Sequence, residues 1–182
     1  MIQLNPITTS HPDYGFVENL LHASFPFEER RADERQRYNT DHNEKFECFL
    51  IIESETSLPI GLITVWNLNG FKYIEHLATS PKHRNKGYGR IIMEQLEEIF
   101  PQALIILEVE RPNENISKRR IEFYKRCGFS LCEKDYIQPS YHGDENGLPL
   151  YLMFRGTKNL DTDFERIRDE IYQHVYEVSI KR

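Results

Sequence analysis

The stretch Ile74–Ile92 reads IEHLATSPKHRNKGYGRII and contains a strand end, a cationic turn and a helix start. Its apolar beginning favours a strand, which Pro81 ends because proline has no N–H for a β-ladder. Gly87 and Gly89 allow the backbone to curl closely around a ligand, and the spacing after Arg90 is helical. A glycine-rich turn leading into a helix N-terminus is typical of an anion site, because its N–H groups lack partners and the helix dipole favours negative charge. The turn therefore predicts a phosphate or pyrophosphate ligand.

Two common phosphate motifs do not fit this turn. A Rossmann fingerprint, Gly-x-Gly-x-x-Gly, would need a third glycine where the chain has Ile92, and a Walker A loop would need Gly-Lys-Ser/Thr. The turn instead reads Arg84-x-x-Gly87-x-Gly89 and follows a strand that contains Glu75. This pattern resembles the acetyl-CoA signature of the GNAT N-acetyltransferase superfamily, Gln/Arg-x-x-Gly-x-Gly/Ala.

Length and composition indicate one soluble globular domain. The 182 residues are 39% hydrophobic and 29% charged, and the net charge of -6 argues against nucleic acid as the main partner. No apolar run approaches 18 residues and the N-terminus does not resemble a signal peptide, so we expect neither a membrane span nor secretion. Cys48, Cys127 and Cys132 lack C-x-x-C spacing, which favours free thiols in the cytoplasm and no metal site.

The rest of the chain predicts an ordered series of elements around this turn. A strand near the N-terminus precedes a helix capped by Ser10 and a charged segment at 27–38. Asn69-Gly70 predicts a tight hairpin turn. The nearly continuous apolar run at 103–110 predicts a buried strand, joined to the strand at 71–79 by a parallel crossover. Further strands and helices are predicted at 46–53, 60–68, 90–100, 117–127, 129–136 and 148–155, with looser chain at 138–147.

A second motif strengthens the resemblance. Phe123–Phe129 reads FYKRCGF and looks like the family's Phe/Leu-Tyr-x-x-x-Gly-Phe, in a helix that Ser117 can cap and Gly128 can end. The two motifs have the separation expected in GNAT proteins, and the resemblance covers roughly residues 2–154. It implies an α/β (α+β) GNAT fold, with a central mixed, mostly antiparallel sheet flanked by helices in a domain at 1–156. A C-terminal helix within 157–182, started by a capping box at Thr162, is expected to pack on the domain or at a homodimer contact.

The resemblance also implies a cosubstrate, acetyl-CoA, and the residues that bind it. The strand end would pair with the pantetheine arm, the loop would hold the pyrophosphate, and Ser117 would replace an asparagine found in many family members. Arg120 replaces a small alanine found in many members. The implied binding residues are Leu77, Ala78, Thr79, Arg84, Asn85, Lys86, Gly87, Tyr88, Gly89, Arg90 and Ser117.

Direct acetyl transfer to a primary amine needs a base and an acid. Glu75, on the strand before the loop, is the first candidate for the base, acting directly or through water, and Tyr124 matches the family's general acid. His76, Glu108 and Glu110 are the other candidates for the base. Because neighbouring strand residues face opposite sides, we expect only one of Glu75 and His76 to look into the site.

The charged segment at 27–38 has two interpretations. Its lack of an apolar face predicts a solvated helix or a mobile loop, whereas the resemblance makes it a flap over the acceptor site. As a flap, it would use Phe25, Phe27 and Tyr38 as lining groups, and Glu28 and Glu29 could meet a cationic acceptor.

Several functions remain open at this level. The leading hypothesis is an acetyl-CoA-dependent N-acetyltransferase acting on a small-molecule or peptide amine, with neither nucleic acid nor membrane as partner. The alternatives are a non-catalytic CoA-binding regulatory module and an acyltransferase that uses a longer acyl-CoA. A Rossmann oxidoreductase is disfavoured by Ile92 and by the antiparallel strands ahead of the loop.

Overall fold

The computed structural model describes residues 1–143 and 147–179, which form seven strands and five α-helices. The strands are β1 (Ile2–Pro6), β2 (Phe46–Glu53), β3 (Leu58–Leu68), β4 (Phe71–Thr79), β5 (Ile105–Glu110), β6 (Ser130–Gln138) and β7 (Leu148–Arg155). The helices are α1 (Tyr14–Ser24), α2 (Asp33–His42), α3 (Tyr88–Ile99), α4 (Asn115–Arg126) and α5 (Phe164–His174). The strands form one sheet in the order β1-β2-β3-β4-β5-β7-β6.

This architecture confirms the predicted fold class, a mostly antiparallel sheet flanked by helices. The hairpin turn at Asn69-Gly70 is present, and Gly70 has the positive φ of 83° that such a turn requires. The N-terminal strand lies at the edge of the sheet, where β1 pairs only with β2 among the described strands. No helix in the described ranges is both long and apolar enough to cross a membrane.

The chain divides into two compact units, with boundaries near the end of β3, within β4 and after Pro101. The first unit comprises Met1–Asn67 and Ile74–Pro101, and the second comprises Leu68–Tyr73 and Gln102–Arg182. The predicted division at residue 156 remains a prediction about domain boundaries.

In the first unit, helices cover a strongly apolar set of strands. β2 and β3 bury most of their side chains, and α3, which packs against β1, buries Ile92, Met93 and Leu96. α1 begins at Tyr14 and not directly after the predicted cap, Ser10. The residue before the helix, Asp13, makes no side-chain cap. The Ser10 hydroxyl lies 2.7 Å from the Thr8 hydroxyl instead, within a turn that competes with helix formation.

Gly61 lies at an irregularity between β2 and β3, where Ile51 pairs with Gly61 and Ile52 pairs with Pro59. A Cβ at Gly61 would lie 2.6 Å from the backbone oxygen of Ala78 on β4. We therefore expect Gly61→Ala to lower the free energy of unfolding by about 1–3 kcal/mol, because rigid backbone has to move apart.

Urea unfolding of Gly61→Ala and Gly15→Ala compares the two environments directly. Gly15 lies in α1, and a Cβ there would meet nothing within 4 Å. Because alanine favours a helix over glycine, Gly15→Ala should stabilise the protein by about 0.5–1 kcal/mol. Equal midpoints for the two variants would contradict the close approach at Gly61.

In the second unit, β7 lies between β5 and β6, and α4 packs against β5 and β6. Ser117 is not the cap of α4: Glu114 is, and Ser117 is the third helical residue of a capping box. The predicted cap at Thr162 is also wrong, since the residue before α5 is Asp163, which makes no side-chain cap. Of the predicted loose segment at 138–147, residues 144–146 lie outside the described residues.

The apolar stripe of the C-terminal helix is buried within the single chain. Phe164 is 6% exposed, whereas Ile167 and Ile171 have no exposed surface. After the helix, Tyr176 is only 7% exposed. Burial of these side chains stabilises the second unit through removal of apolar surface from water.

Candidate active site

The cationic turn in the first unit is a short ordered loop between β4 and α3. A 3-10 turn covers Pro81–His83, and α3 begins at Tyr88 rather than at the predicted Arg90. Asn85 and Gly87 have positive φ values of 61° and 82°. Asparagine and glycine tolerate the left-handed backbone better than other residues, so they account for the tight curl.

This curl leaves backbone N–H groups without partners. Those of residues 85–89 donate to no acceptor within the part of the chain that the structure describes. Gly87 is the N-cap of α3 and has no side chain to cap them, and a Cβ there would meet nothing within 4 Å. Unpartnered N–H groups at a helix N-terminus suit a negatively charged ligand.

Two cations stand beside these N–H groups. Arg84 and Lys86 are exposed, and Arg84 Nε donates to the backbone oxygen of Thr79 at 3.3 Å. This bond orients the Arg84 side chain along the start of the loop. A guanidinium and an ammonium next to unpartnered N–H groups favour a phosphate or pyrophosphate over a neutral ligand.

Two other predicted binding residues direct their side chains to carboxylates. The Tyr88 phenol donates to Glu53, and Arg90 Nε donates to Glu94 at 2.8 Å. Hydrogen bonds from Tyr88 and from a neighbouring threonine lower the pKa of Glu53. Tyr88 is therefore placed to contribute its backbone rather than its phenol to ligand binding.

The strand end before the loop alternates in exposure. Ala78 is buried, whereas Leu77 and Thr79 are half-buried. The predicted pairing of this strand end with a pantetheine arm remains a prediction.

Glu75 lies on β4 as the acidic half of a buried ion pair. Arg31 Nη1 donates to Glu75 Oε2 at 3.0 Å, and Arg31 Nη2 donates to Glu75 Oε1. Trp66 Nε1 donates to Oε2 at 3.0 Å. The Glu75 side chain has no exposed surface and that of Arg31 is 5% exposed, so the pair is shielded from bulk water.

The surroundings of the pair decide its charge state. Burial raises the pKa of Glu75, but Arg31, His76 and the Trp66 hydrogen bond together outweigh burial and leave the pKa below its ordinary value. The Arg31 guanidinium also lies over the rings of Trp66 and Phe46, 5.3 and 5.7 Å from their centroids. Glu75 is therefore ionised at neutral pH, as a general base must be.

The expectation that Glu75 and His76 face opposite sides is wrong. His76 Nδ1 lies only 3.7 Å from Glu75 Oε2, so the two side chains converge. His76 Nε2 lies 3.0 Å from the backbone oxygen of Glu29. Burial lowers the pKa of His76, so the imidazole is neutral and donates its Nε2 proton to that oxygen.

The segment at 27–38 is an ordered part of the first unit. It contains a 3-10 turn at Phe27–Glu29 and most of α2, and the prediction of a solvated helix or mobile loop is wrong for its buried residues. Phe25 packs its ring against His76 at 4.5 Å, whereas Phe27 and Tyr38 are 56% and 51% exposed. A role for these rings in lining an acceptor site remains a prediction.

Tyr124, the predicted acid, lies on α4 in the second unit. Its ring contacts Phe123 and Phe129, with centroid distances of 5.1 and 5.7 Å. Burial raises the pKa of Tyr124 to about 12. The phenol is therefore protonated at neutral pH and able to donate a proton.

Ser117, also on α4, is only 3% exposed. Its hydroxyl accepts from Glu114 N at 3.2 Å and donates to Glu114 O at 2.9 Å. These local bonds occupy the hydroxyl that was expected to reach the pantetheine arm, and the expected contact remains a prediction.

The two other candidate carboxylates on β5 have different partners. Glu108 accepts a hydrogen bond from the Tyr136 phenol. It also accepts from Tyr176 Oη, which lies 3.1 Å from Glu108 Oε1 and 2.9 Å from Glu108 Oε2. Glu110 is paired with Arg120 at 2.9 Å on the surface. No group of histidine, cysteine, aspartate or glutamate side chains in the described ranges is arranged to hold a metal ion.

Sequence reasoning missed the residues that surround Glu75. Arg31 and Gln36 lie within the charged segment at 27–38, where nothing in the sequence pattern distinguishes them from exposed neighbours. Trp66 offered a weak signal, because it is the sole tryptophan of the chain and a buried indole N–H needs an acceptor.

The geometry of the loop and of α4 agrees with comparisons to known proteins. The model of the acetyltransferase (GNAT) family matches residues 15–129, which include both predicted motifs in full. The chain belongs to the GNAT acetyltransferase family. The predicted enzyme class is thereby confirmed, and the GNAT resemblance based on two short motifs is correct.

Individual relatives support the same assignment of this GNAT protein. A protein from Bacillus methanolicus, named an uncharacterized N-acetyltransferase in the lysA 3′ region, is 31% identical over 93 residues, which are 50% of this chain and 67% of the relative. A putative GNAT acetyltransferase from Bacteroides thetaiotaomicron is 46% identical, with a TM-score of 0.91, and the match covers 97% of this chain and 99% of that chain.

A more distant structure shares the fold alone. The dodecameric spermidine N-acetyltransferase from Vibrio cholerae is 16% identical, with a TM-score of 0.62, and the match covers 90% of this chain and 97% of that chain.

Proposed function

We propose that this GNAT protein transfers the acetyl group of acetyl-CoA directly to a primary amine. The observation that carries this proposal is the loop of unpartnered N–H groups at residues 85–89, with the cation Arg84 beside it and the cation Lys86 within it. Family membership makes acetyl-CoA the ligand to test first. The acceptor is proposed to be a small-molecule or peptide amine.

The residues present fit the diphosphate of acetyl-CoA. The open space at Gly87 admits a phosphate close to the backbone, and two cations balance its charge. Bound acetyl-CoA supplies an activated thioester carbonyl. A backbone N–H at the end of β4, proposed to be that of Leu77, would stabilise the oxyanion, a contribution of about 2.7–4 kcal/mol where such donors have been removed from other enzymes.

Two side chains are proposed to move protons. Tyr124 would protonate the departing thiolate, for which its phenol has to be neutral. Glu75 would take a proton from the acceptor ammonium, whose ordinary pKa is about 10.4. Because Glu75 has no exposed side-chain surface and both its oxygens contact Arg31, this proton would reach it through water.

Calorimetric titration with acetyl-CoA tests the binding step. We expect saturable binding, weakened about ten- to hundredfold by Arg84→Ala, because a charge-assisted hydrogen bond contributes about 1.5–3 kcal/mol. Gly87→Val should weaken binding as well, because valine is strained at a φ of 82°. Lys82→Ala, in the same loop but before the motif, is the matched control and should bind like the unmodified protein.

Parallel titrations decide between the alternatives. CoA, a longer acyl-CoA and NADH are titrated alongside acetyl-CoA, and thiol release with a panel of amines follows for the ligand that binds. Preference for the longer acyl chain would indicate a different acyl donor, and binding without thiol release would indicate a regulatory module. Failure of the folded protein to bind any CoA species would contradict the proposed function.

A further inference from the structure

The buried side of α2 is polar, which is unusual for a helix packed on a sheet. Its three buried residues are Gln36, Asn39 and Thr40, which are 4%, 2% and 9% exposed. Thr40 Oγ1 donates to the backbone oxygen of Gln36 at 2.8 Å, and Asn39 Oδ1 accepts from Asn43 at 3.2 Å. Buried polar groups normally have hydrogen-bond partners, so each of these side chains requires one.

The Gln36 amide is only half satisfied. Its Oε1 accepts from Arg31 Nη1 at 3.0 Å, which orients the amide because a guanidinium only donates. Its Nε2 is buried and donates to no acceptor in residues 1–143 and 147–179. A buried donor without an acceptor is costly, so this N–H₂ group points to a ligand.

The same guanidinium nitrogen connects Gln36 to the proposed base. Arg31 Nη1 donates to Gln36 Oε1 and to Glu75 Oε2, at 3.0 Å in both cases. The amide and the carboxylate are therefore neighbours separated by a single nitrogen. A buried water typically makes about three hydrogen bonds to polar groups, and the Gln36 amide and the Glu75 carboxylate supply two suitable partners.

We propose that Gln36 Nε2 holds a buried water through which Glu75 receives the proton of the acceptor ammonium. Gln36 is then a positioning residue for the proton transfer. The proposal rests on the proposed function, and it answers how a carboxylate without exposed surface exchanges a proton with a substrate. It assigns a role to a glutamine in a segment that sequence patterns describe only as charged.

The proton transfer balances without a further reactant. An N–H bond of the ammonium breaks as its proton bonds to the water oxygen, while one O–H bond of that water breaks and its proton bonds to a Glu75 oxygen. The water remains neutral, the amine becomes a nucleophile, and Glu75 becomes a carboxylic acid. Glu75 returns the proton to solvent before the next turnover.

Gln36→Leu removes the donor with little change in side-chain size. At pH 7 we expect kcat/KM for the amine to fall about ten- to hundredfold, with acetyl-CoA affinity unchanged. The loss should shrink as the pH approaches about 10, because an increasing fraction of the amine is already deprotonated and needs no base. Around Glu75, Arg31 stays charged and His76 stays neutral over this range, so the trend reports the amine.

The comparison needs three further variants. Glu75→Gln should show the same shrinking loss, whereas Thr40→Val, which alters a neighbouring buried polar group of α2, should keep the activity of the unmodified protein. Gln36→Met is measured in parallel, and unfolding midpoints are determined for every variant, so that loss of folded protein is separated from loss of proton transfer.

The pH profile separates the possible results. A loss in Gln36→Leu that is constant across pH indicates a structural effect and overturns the proposal, as does full activity at pH 7. In both of those cases, activity of the unmodified protein leaves the proposed function standing. An unmodified protein that binds acetyl-CoA but releases no thiol with any amine overturns both.

Discussion

Replacing Arg31 with methionine is expected to lower the free energy of unfolding by about 3–5 kcal/mol at pH 7. The substitution removes the guanidinium but leaves Glu75, whose side chain has no exposed surface, without its cationic partner. Charge left alone in an apolar interior is costly, since the favourable interaction with water has already been lost. Urea unfolding followed by circular dichroism measures the effect.

Two comparisons separate the buried charge from a general effect of the substitution. Arg37→Met removes an exposed pair with Glu18, so its midpoint should change little because solvent screens that pair. Combining Arg31→Met with Glu75→Leu should regain most of the loss, because an apolar pair replaces a buried ion pair. If Arg31→Met and Arg37→Met unfold at the same urea concentration, the buried pair does not stabilise the fold.

The loss in Arg31→Met should also depend on pH in a defined direction. In the unmodified protein the pKa of Glu75 is below its ordinary value. The ion pair therefore stabilises the fold fully at pH values above the ordinary pKa of a glutamate. That stabilisation is lost as the pH falls through the lowered pKa. Without Arg31, burial raises the pKa, and protonation relieves the buried charge. The difference between the two proteins should therefore shrink as the pH is lowered from 7 to 5.

Tyr124→Phe is expected to lower kcat by about 10²- to 10⁴-fold, the usual contribution of a positioned general acid. Burial raises the pKa of the Tyr124 phenol to about 12, so it is protonated and able to donate at neutral pH. Phenylalanine keeps the ring contacts with Phe123 and Phe129, so the affinity for acetyl-CoA and the unfolding midpoint should not change. Thiol release under saturating acetyl-CoA and amine is the measurement.

Tyr151→Phe is the matched control for the loss of a phenol. Tyr151 lies on β7 in the same unit, half-buried, with its ring next to Arg111 at 5.0 Å. Its substitution should leave kcat within about threefold of the unmodified value. A similarly small effect of Tyr124→Phe would remove Tyr124 from the role of acid.

Local sequence features predicted the elements of this fold well. The strands at 46–53, 71–79 and 148–155 have the predicted bounds, because aromatic and β-branched runs that end at turn residues leave little choice of conformation. Helix starts were predicted less well. α1, α4 and α5 each begin at a residue other than the expected cap, because serine and threonine also hydrogen-bond in the turns that precede a helix.

The parts of the candidate site also differ in how well the sequence predicted them. The loop could be predicted because Gly87 has to adopt a positive φ, which is a requirement of the backbone at one position. The partners of Glu75 could not, because Arg31 lies 44 residues away in a run of similar charged residues. Burial of a charge depends on which distant groups surround it, and no periodic pattern reports those groups.

The sequence by itself determined the order of strands and helices, the glycine-rich turn between β4 and α3 and, through two motifs, membership of the GNAT family. These features depend on the conformation of a few consecutive residues, so a short stretch of chain contains the information. Only the tertiary structure decided that a charged segment buries Arg31 and Gln36, that Arg31 pairs with Glu75 on β4, and that Glu75 and His76 converge. Those arrangements depend on the balance between loss of solvation and contacts made across long stretches of chain, and that balance exists only once the chain has folded.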